Sequence, residues 1–91
     1  MGGRSTTLLN ENAWVAIRNS LRLSARELEI VTCLIEDGLD TEAEIASALG
    51  ISHHTVHTHL ERLYKKIGVA NRSHLIRRVL AEYVRFSSQS T

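Results

Sequence analysis

The sequence predicts an all-α fold of five helices, four forming a compact helical domain and one added at the N-terminal side. Three observations carry this expectation. Apolar residues recur at three- and four-residue intervals, the spacing of a helix face and not the alternation of a strand. An Asn, Ser or Thr precedes each apolar-periodic segment, and Gly follows three of them, as caps and stops do. The 91 residues contain no Pro and only five Gly, too few turn-formers for a β-sandwich.

The first helix is expected from about Glu11 to Leu21, capped by Asn10 or Asn12, with Trp14, Ile17 and Leu21 on its apolar face. The second begins after Ser24. Glu27, three residues on, completes a capping box in which hydroxyl and carboxylate each take one backbone amide proton. Leu28, Val31, Leu34 and Ile35 form its stripe, and Gly38 is expected to stop it in the left-handed conformation. The third runs from about Glu42 to Leu49, with Thr41 and Glu44 as a second capping box and Ile45, Ala46 and Leu49 facing inward. Gly50 ends it. Ser52 caps a fourth, from about His53 to Ile67, whose core stripe is Val56, Leu60, Leu63 and Ile67, and Gly68 ends it. Asn71 caps a fifth, from about Arg72 to Val84, carrying Leu75, Ile76, Val79, Leu80 and Tyr83. Residues 1–9 and 86–91 are rich in Ser, Thr and Gly and are expected to fray. The chain thus divides into a tail and extra helix at 1–22, a domain at 23–85 and a tail at 86–91.

A chain of this length makes one domain with a modest core. No apolar run approaches the ~18 residues that would span a bilayer, so no membrane partner is expected. Met1 to Thr7 precedes no apolar segment of secretory type, and a single cysteine, Cys33, cannot form an internal disulfide. Cys33 reads as a buried small hydrophobe, and the expected location is the cytoplasm. The formal net charge is only +1, but it is unevenly spread. Through Gly50 there are 4 basic against 8 acidic residues, a net of −4; from Ile51 there are 7 against 2, a net of +5, together with all five histidines. That asymmetry suits a polyanionic partner.

The third helix, the turn Gly50-Ile51-Ser52 and the capped fourth helix make a helix-turn-helix pattern. In that arrangement the fourth helix lies in the major groove of double-stranded DNA. Its core stripe leaves His54, His57, Thr58, Glu61 and Lys65 on the opposite, wholly polar side, able to donate to and accept from base edges. Thr55 joins this candidate set at the start of the helix. Arg62, Lys65 and Lys66 gather toward its end, where phosphates would lie, and Thr41 at the start of the third helix is a second candidate phosphate contact. His59 lies beside the core stripe and reads as structural. His53 and His57 have metal-ligand spacing, but no Cys or acidic ligand accompanies them in the sequence, so no metal is expected.

The segments Leu23-Ser24-Ala25-Arg26-Glu27-Leu28-Glu29-Ile30-Val31, Gly38, Glu44-Ile45-Ala46, Leu49-Gly50-Ile51-Ser52, Thr55-Val56-His57-Thr58-His59, Lys66-Ile67-Gly68-Val69 and Asn71-Arg72-Ser73 stand in one order over about Leu23 to Tyr83. In them the sequence resembles the LuxR-type (GerE-like) DNA-binding domain of bacterial transcription regulators. The resemblance implies a four-helix domain, a recognition helix and a homodimer formed through the last helix, here with Val79, Leu80 and Tyr83 in the contact. The chain departs from the family pattern in one extra residue near Asp40, in Glu42-Ala43 where Asn-Lys is usual, in His57 where a basic residue is usual, and in Glu61 on the reading face.

Catalysis is not expected. The chain has no Gly-rich phosphate loop, no nucleophile and base at motif spacing, and no evident small-molecule or cofactor site. The expected function is sequence-specific DNA binding in transcription regulation, by a stand-alone protein or the output domain of a longer one. The competing reading is a protein-interaction module that kept the fold and lost DNA binding, suggested by Glu61, by the missing Lys near Ala43 and by the low net charge. Arg77 and Arg78 read as solvated or dimer-rim charges.

Overall fold

Ser24, Thr41 and Ser52 each start a helix for the same reason. Each has extended backbone, and its side-chain oxygen accepts a first-turn amide proton, from Glu27, Glu44 and Thr55 respectively. In the computed structural model, which describes residues 11–89, five helices follow one another: α1 (Glu11–Leu21), α2 (Ala25–Ile35), α3 (Glu42–Leu49), α4 (His53–Ile67) and α5 (Arg72–Gln89). There is no strand among the described residues. The expected capping residue Asn10 and the tail at 1–9 lie outside them.

Gly50 and Gly68 end α3 and α4 with φ of 68° and 84°. At each, the following amide reaches back into the last turn, Ile51 to Ala46 at 3.1 Å and Val69 to Tyr64 at 3.0 Å. A Cβ at either glycine would touch nothing within 4 Å, so a side chain there is opposed by backbone strain and not by crowding. Gly38 also has positive φ, but it does not end α2 directly. The helix stops earlier, at Ile35 with Glu36 as its cap, and Gly38 turns the chain afterwards.

Every helix contributes to one core. Ile17 of α1, Ile30 and Val31 of α2, Ile45 of α3, Val56 and Leu63 of α4, and Leu75 and Val79 of α5 are all buried. Each such side chain contributes about 1.5–3 kcal/mol relative to exposure. Cys33 is buried among them, as expected. Helix α2 touches α3, α4 and α5 and so stands at the centre; α3 lies against α4, and α1 lies against α5.

Three expectations need correction. On α1 the buried positions are Ala13, Ile17 and Leu21; Trp14 is half-buried against the core, because its indole N–H donates to Glu36 of α2 at 2.8 Å and must stay near the rim. Helix α5 continues past Val84 to Gln89, so residues 86–89 are helical and not a frayed tail. Phe86 explains this, since it packs on the core one turn beyond Glu82. Finally, Val79 is fully buried inside the chain and cannot lie on a surface shared with a second copy. Leu80 is 40 % exposed, Tyr83 is half-buried, and Val84 is exposed.

Candidate nucleic-acid interface

The turn between α3 and α4 is three residues long. Gly50 reverses the backbone, Ile51 is half-buried against the core, and Ser52 caps α4. Its hydroxyl accepts from the Thr55 amide at 3.0 Å and lies 2.8 Å from the Thr55 hydroxyl. This fixes the direction in which α4 leaves the turn.

Helix α4 is divided lengthwise. Val56, Leu60 and Leu63 are buried, while His54, His57, Glu61, Arg62 and Lys65 are exposed. Thr55, Thr58, His59 and Ile67 are half-buried. Apart from His57, whose ring meets Glu42 of α3, the hydrophilic side is not packed against the rest of the chain, and it runs along a helix of 15 residues. It holds donors, acceptors and cations in one row, the composition that base edges and phosphates require.

Lys66 stands apart from the other cations. Its ammonium lies 2.5 Å from Glu27 Oε1 and donates to the carbonyl of Arg22 at 2.7 Å. Arg22 has φ of 57°, rare for a residue with a side chain, and Lys66 secures this turn between α1 and α2. Burial of Glu27 works to raise its carboxyl pKa; the hydrogen bond and charge of Lys66, with the Ser24 amide and hydroxyl, outweigh that and hold it below the ordinary carboxylate value.

The start of α3 is acidic. Glu44 accepts from the amides of Asp40 at 2.9 Å and Thr41 at 3.2 Å, and those bonds lower its carboxyl pKa. Thr41 in turn accepts from the Glu44 amide. The helix end expected to attract a phosphate is thus already faced by the chain's own carboxylate, which opposes a second anion there.

Glu42 is the residue that the sequence reading missed. Its carboxylate accepts from His53 Nε2 at 2.9 Å and from His57 Nδ1 at 3.2 Å, tying α3 to the first half of α4. Burial raises its pKa, but the hydrogen bonds from His57 and His53 and their charge bring the net value below the ordinary one. The i, i+4 spacing of the histidines was visible in the sequence; their acidic partner, 11 residues before His53, was not. Among the described residues no three such side chains are placed to hold a metal ion.

Residues 21–79 match the family described as bacterial regulatory proteins, luxR family (GerE). The chain is 46% identical over 54 residues to the "Putative HTH-type transcriptional regulator in exeN 3'region" of Aeromonas salmonicida, covering 59% of this chain and 26% of that protein. It is 45% identical over 51 residues to the "Probable transcriptional regulatory protein SgaR" of Hyphomicrobium methylovorum, covering 56% and 23%. It is 44% identical over 57 residues to the "Putative HTH-type transcriptional regulator YhjB" of Escherichia coli, covering 63% and 28%. The matched region spans about a quarter of each of these relatives. No solved structure matches the chain significantly. Five helices and no strand among the described residues, a glycine turn ahead of a capped and outwardly polar α4, and the match over 21–79 agree: the chain belongs to the luxR family of bacterial regulatory proteins and carries its helix-turn-helix domain.

Proposed function

We propose that this chain is a sequence-specific DNA-binding transcription regulator, or the output domain of one, that inserts α4 into the major groove. The observation that carries the proposal is the division of α4, with Val56, Leu60 and Leu63 buried and His54, His57, Glu61, Arg62 and Lys65 exposed. In this reading His54, His57, Thr58 and Glu61 meet base edges; Glu61 accepts from a cytosine amino group. Arg62 and Lys65 meet phosphates. Thr55, its hydroxyl shared with Ser52, sits where the helix meets the backbone. Lys66 is a tether for the α1–α2 turn, and Thr41 is left out of the contact set because Glu44 occupies the end of its helix. The names of the three relatives, all transcriptional regulators, point the same way.

A homodimer suits this reading, because two copies would place two recognition helices on half-sites about one turn of DNA apart. Leu80 and Val84 are exposed apolar residues on α5, with Tyr83 half-buried beside them. These three are the proposed contact, in place of the set that included Val79.

Mobility shift on duplex DNA at two salt concentrations tests the proposal. The expected result is affinity that falls steeply as salt rises, because phosphate contacts release counterions. No shift at low salt would overturn it and leave the interaction-module reading.

A further inference from the structure

We infer that Glu42 is a positioning residue that decides which ring nitrogen of His57 carries its proton, so that the base preferred beneath His57 changes between mildly acidic and mildly basic solution. The inference rests on the DNA-reading role of α4.

The geometry is specific. Glu42, the first residue of α3, meets the ring edges of two histidines one turn apart on α4. Both Glu42 oxygens lie within 3.3 Å of His57 Nδ1, and one lies 2.9 Å from His53 Nε2. An ionised carboxylate only accepts hydrogen bonds, so each nitrogen facing it must carry a proton. A neutral His57 is thereby held as the Nδ1–H tautomer. Its Nε2, on the far edge of the ring, then bears a lone pair, and the side chain is 54% exposed.

That lone pair accepts from the amino groups of cytosine N4 or adenine N6. Protonation reverses the sense: Nε2 gains a hydrogen, donates to guanine O6 or N7 or to thymine O4, and no longer accepts. His57 lies in the first half of α4, the part of a recognition helix that meets base edges. His53 differs, because the nitrogen it keeps free is Nδ1, beside its own backbone.

The surroundings do not compete for this role. Tyr64, on the same helix, interacts with Glu42; burial pushes its phenol up, the charge of Glu42 adds to this, Arg72 of α5 opposes it and Glu61 adds again. A phenol pushed up stays neutral through pH 8. On α3, Glu44 is held ionised by the Asp40 and Thr41 amides. Imidazole is the side-chain type whose charge ordinarily changes across this part of the pH scale.

The test is selection of bound duplexes from a random pool at pH 6 and pH 8, at one salt concentration. The wild-type chain should enrich cytosine or adenine at one position per site at pH 8, and guanine or thymine there at pH 6, a change in ratio of about fivefold. Glu42→Ala should lose the pH 8 preference, since nothing then holds the tautomer. His57→Ala should bind with no change between the two conditions, and His54→Gln should keep the change. The same base at both pH values, or a change retained in Glu42→Ala, would overturn the inference alone. No duplex retained at either pH would overturn the DNA reading and this inference with it.

Discussion

Lys66 Nζ and Glu27 Oε1 lie 2.5 Å apart, joining the last turn of α4 to the first turn of α2 across 39 residues of sequence. Lys66 also holds the carbonyl of Arg22, so one side chain fixes two neighbouring turns. Lys66→Met should lower stability by about 1–2 kcal/mol, the scale of a charge-assisted hydrogen bond at a partly exposed site. Urea unfolding at pH 7 measures it. The pair also has a pH signature. The Glu27 carboxyl is depressed in the folded chain, so its contribution is complete above the ordinary value of 4.5 and is lost as pH falls through the lower native value. Glu27→Gln should remove that acid-side loss from the stability profile; an unchanged profile would disprove the linkage.

Lys65 and Lys66 are adjacent, yet only Lys65 projects from the outer side of α4. Lys65→Ala should weaken binding to all duplexes alike and reduce the slope of log affinity against log salt by about 1. Lys66→Met should leave that slope as it is. Titration at four or more salt concentrations separates the two, and equal slopes for both variants would contradict the assigned roles.

All of helix α1 except Leu21 lies outside the family match, yet the helix contributes to the core. Ile17 is fully buried, and Ser20 Oγ donates to Glu82 of α5 at 2.6 Å. Ile17→Ala should cost about 2–5 kcal/mol, as for other buried large-to-small changes. Ser20→Ala should cost about 1 kcal/mol. It should also let the Glu82 carboxyl rise toward its ordinary value, because the Ser20 hydrogen bond is the largest influence lowering it. Thermal melts followed by circular dichroism check the stability changes, and carboxyl titration by NMR checks the second.

Two adjacent residues of α5 should respond oppositely to charge. Leu80→Glu, on the surface, should leave the fold intact and shift sedimentation toward monomer. Val79→Glu, in the core, should unfold the chain because a buried carboxylate finds no partner there. A folded Leu80→Glu variant with unchanged sedimentation at every concentration would remove α5 as the proposed dimer contact.

Much of this was legible in one dimension. The bounds of α3 and α4 follow from caps, glycines and apolar spacing, because these are interactions within one or two turns of chain. The two capping boxes formed where the Ser24-Glu27 and Thr41-Glu44 spacings place them. The outward side of α4 was readable for the same reason, since burying Val56, Leu60 and Leu63 leaves only one direction for His54, Glu61 and Lys65. Local rules were weaker at the end of α5. Its last turns are polar and Ser-rich, and they extend a helix whose Phe86 finds the core only once α5 is docked.

What the amino-acid order determined by itself is therefore the set of helices, the turn that makes a helix-turn-helix, and the hydrophilic side of α4. What only the tertiary structure decided is which charges on that surface are already engaged: Lys66 by Glu27, and His53 and His57 by Glu42. The physical reason is separation. Caps and stripes act between neighbours in the chain, whereas these partners lie 39, 11 and 15 residues apart and meet only when packed helices bring them within hydrogen-bonding distance.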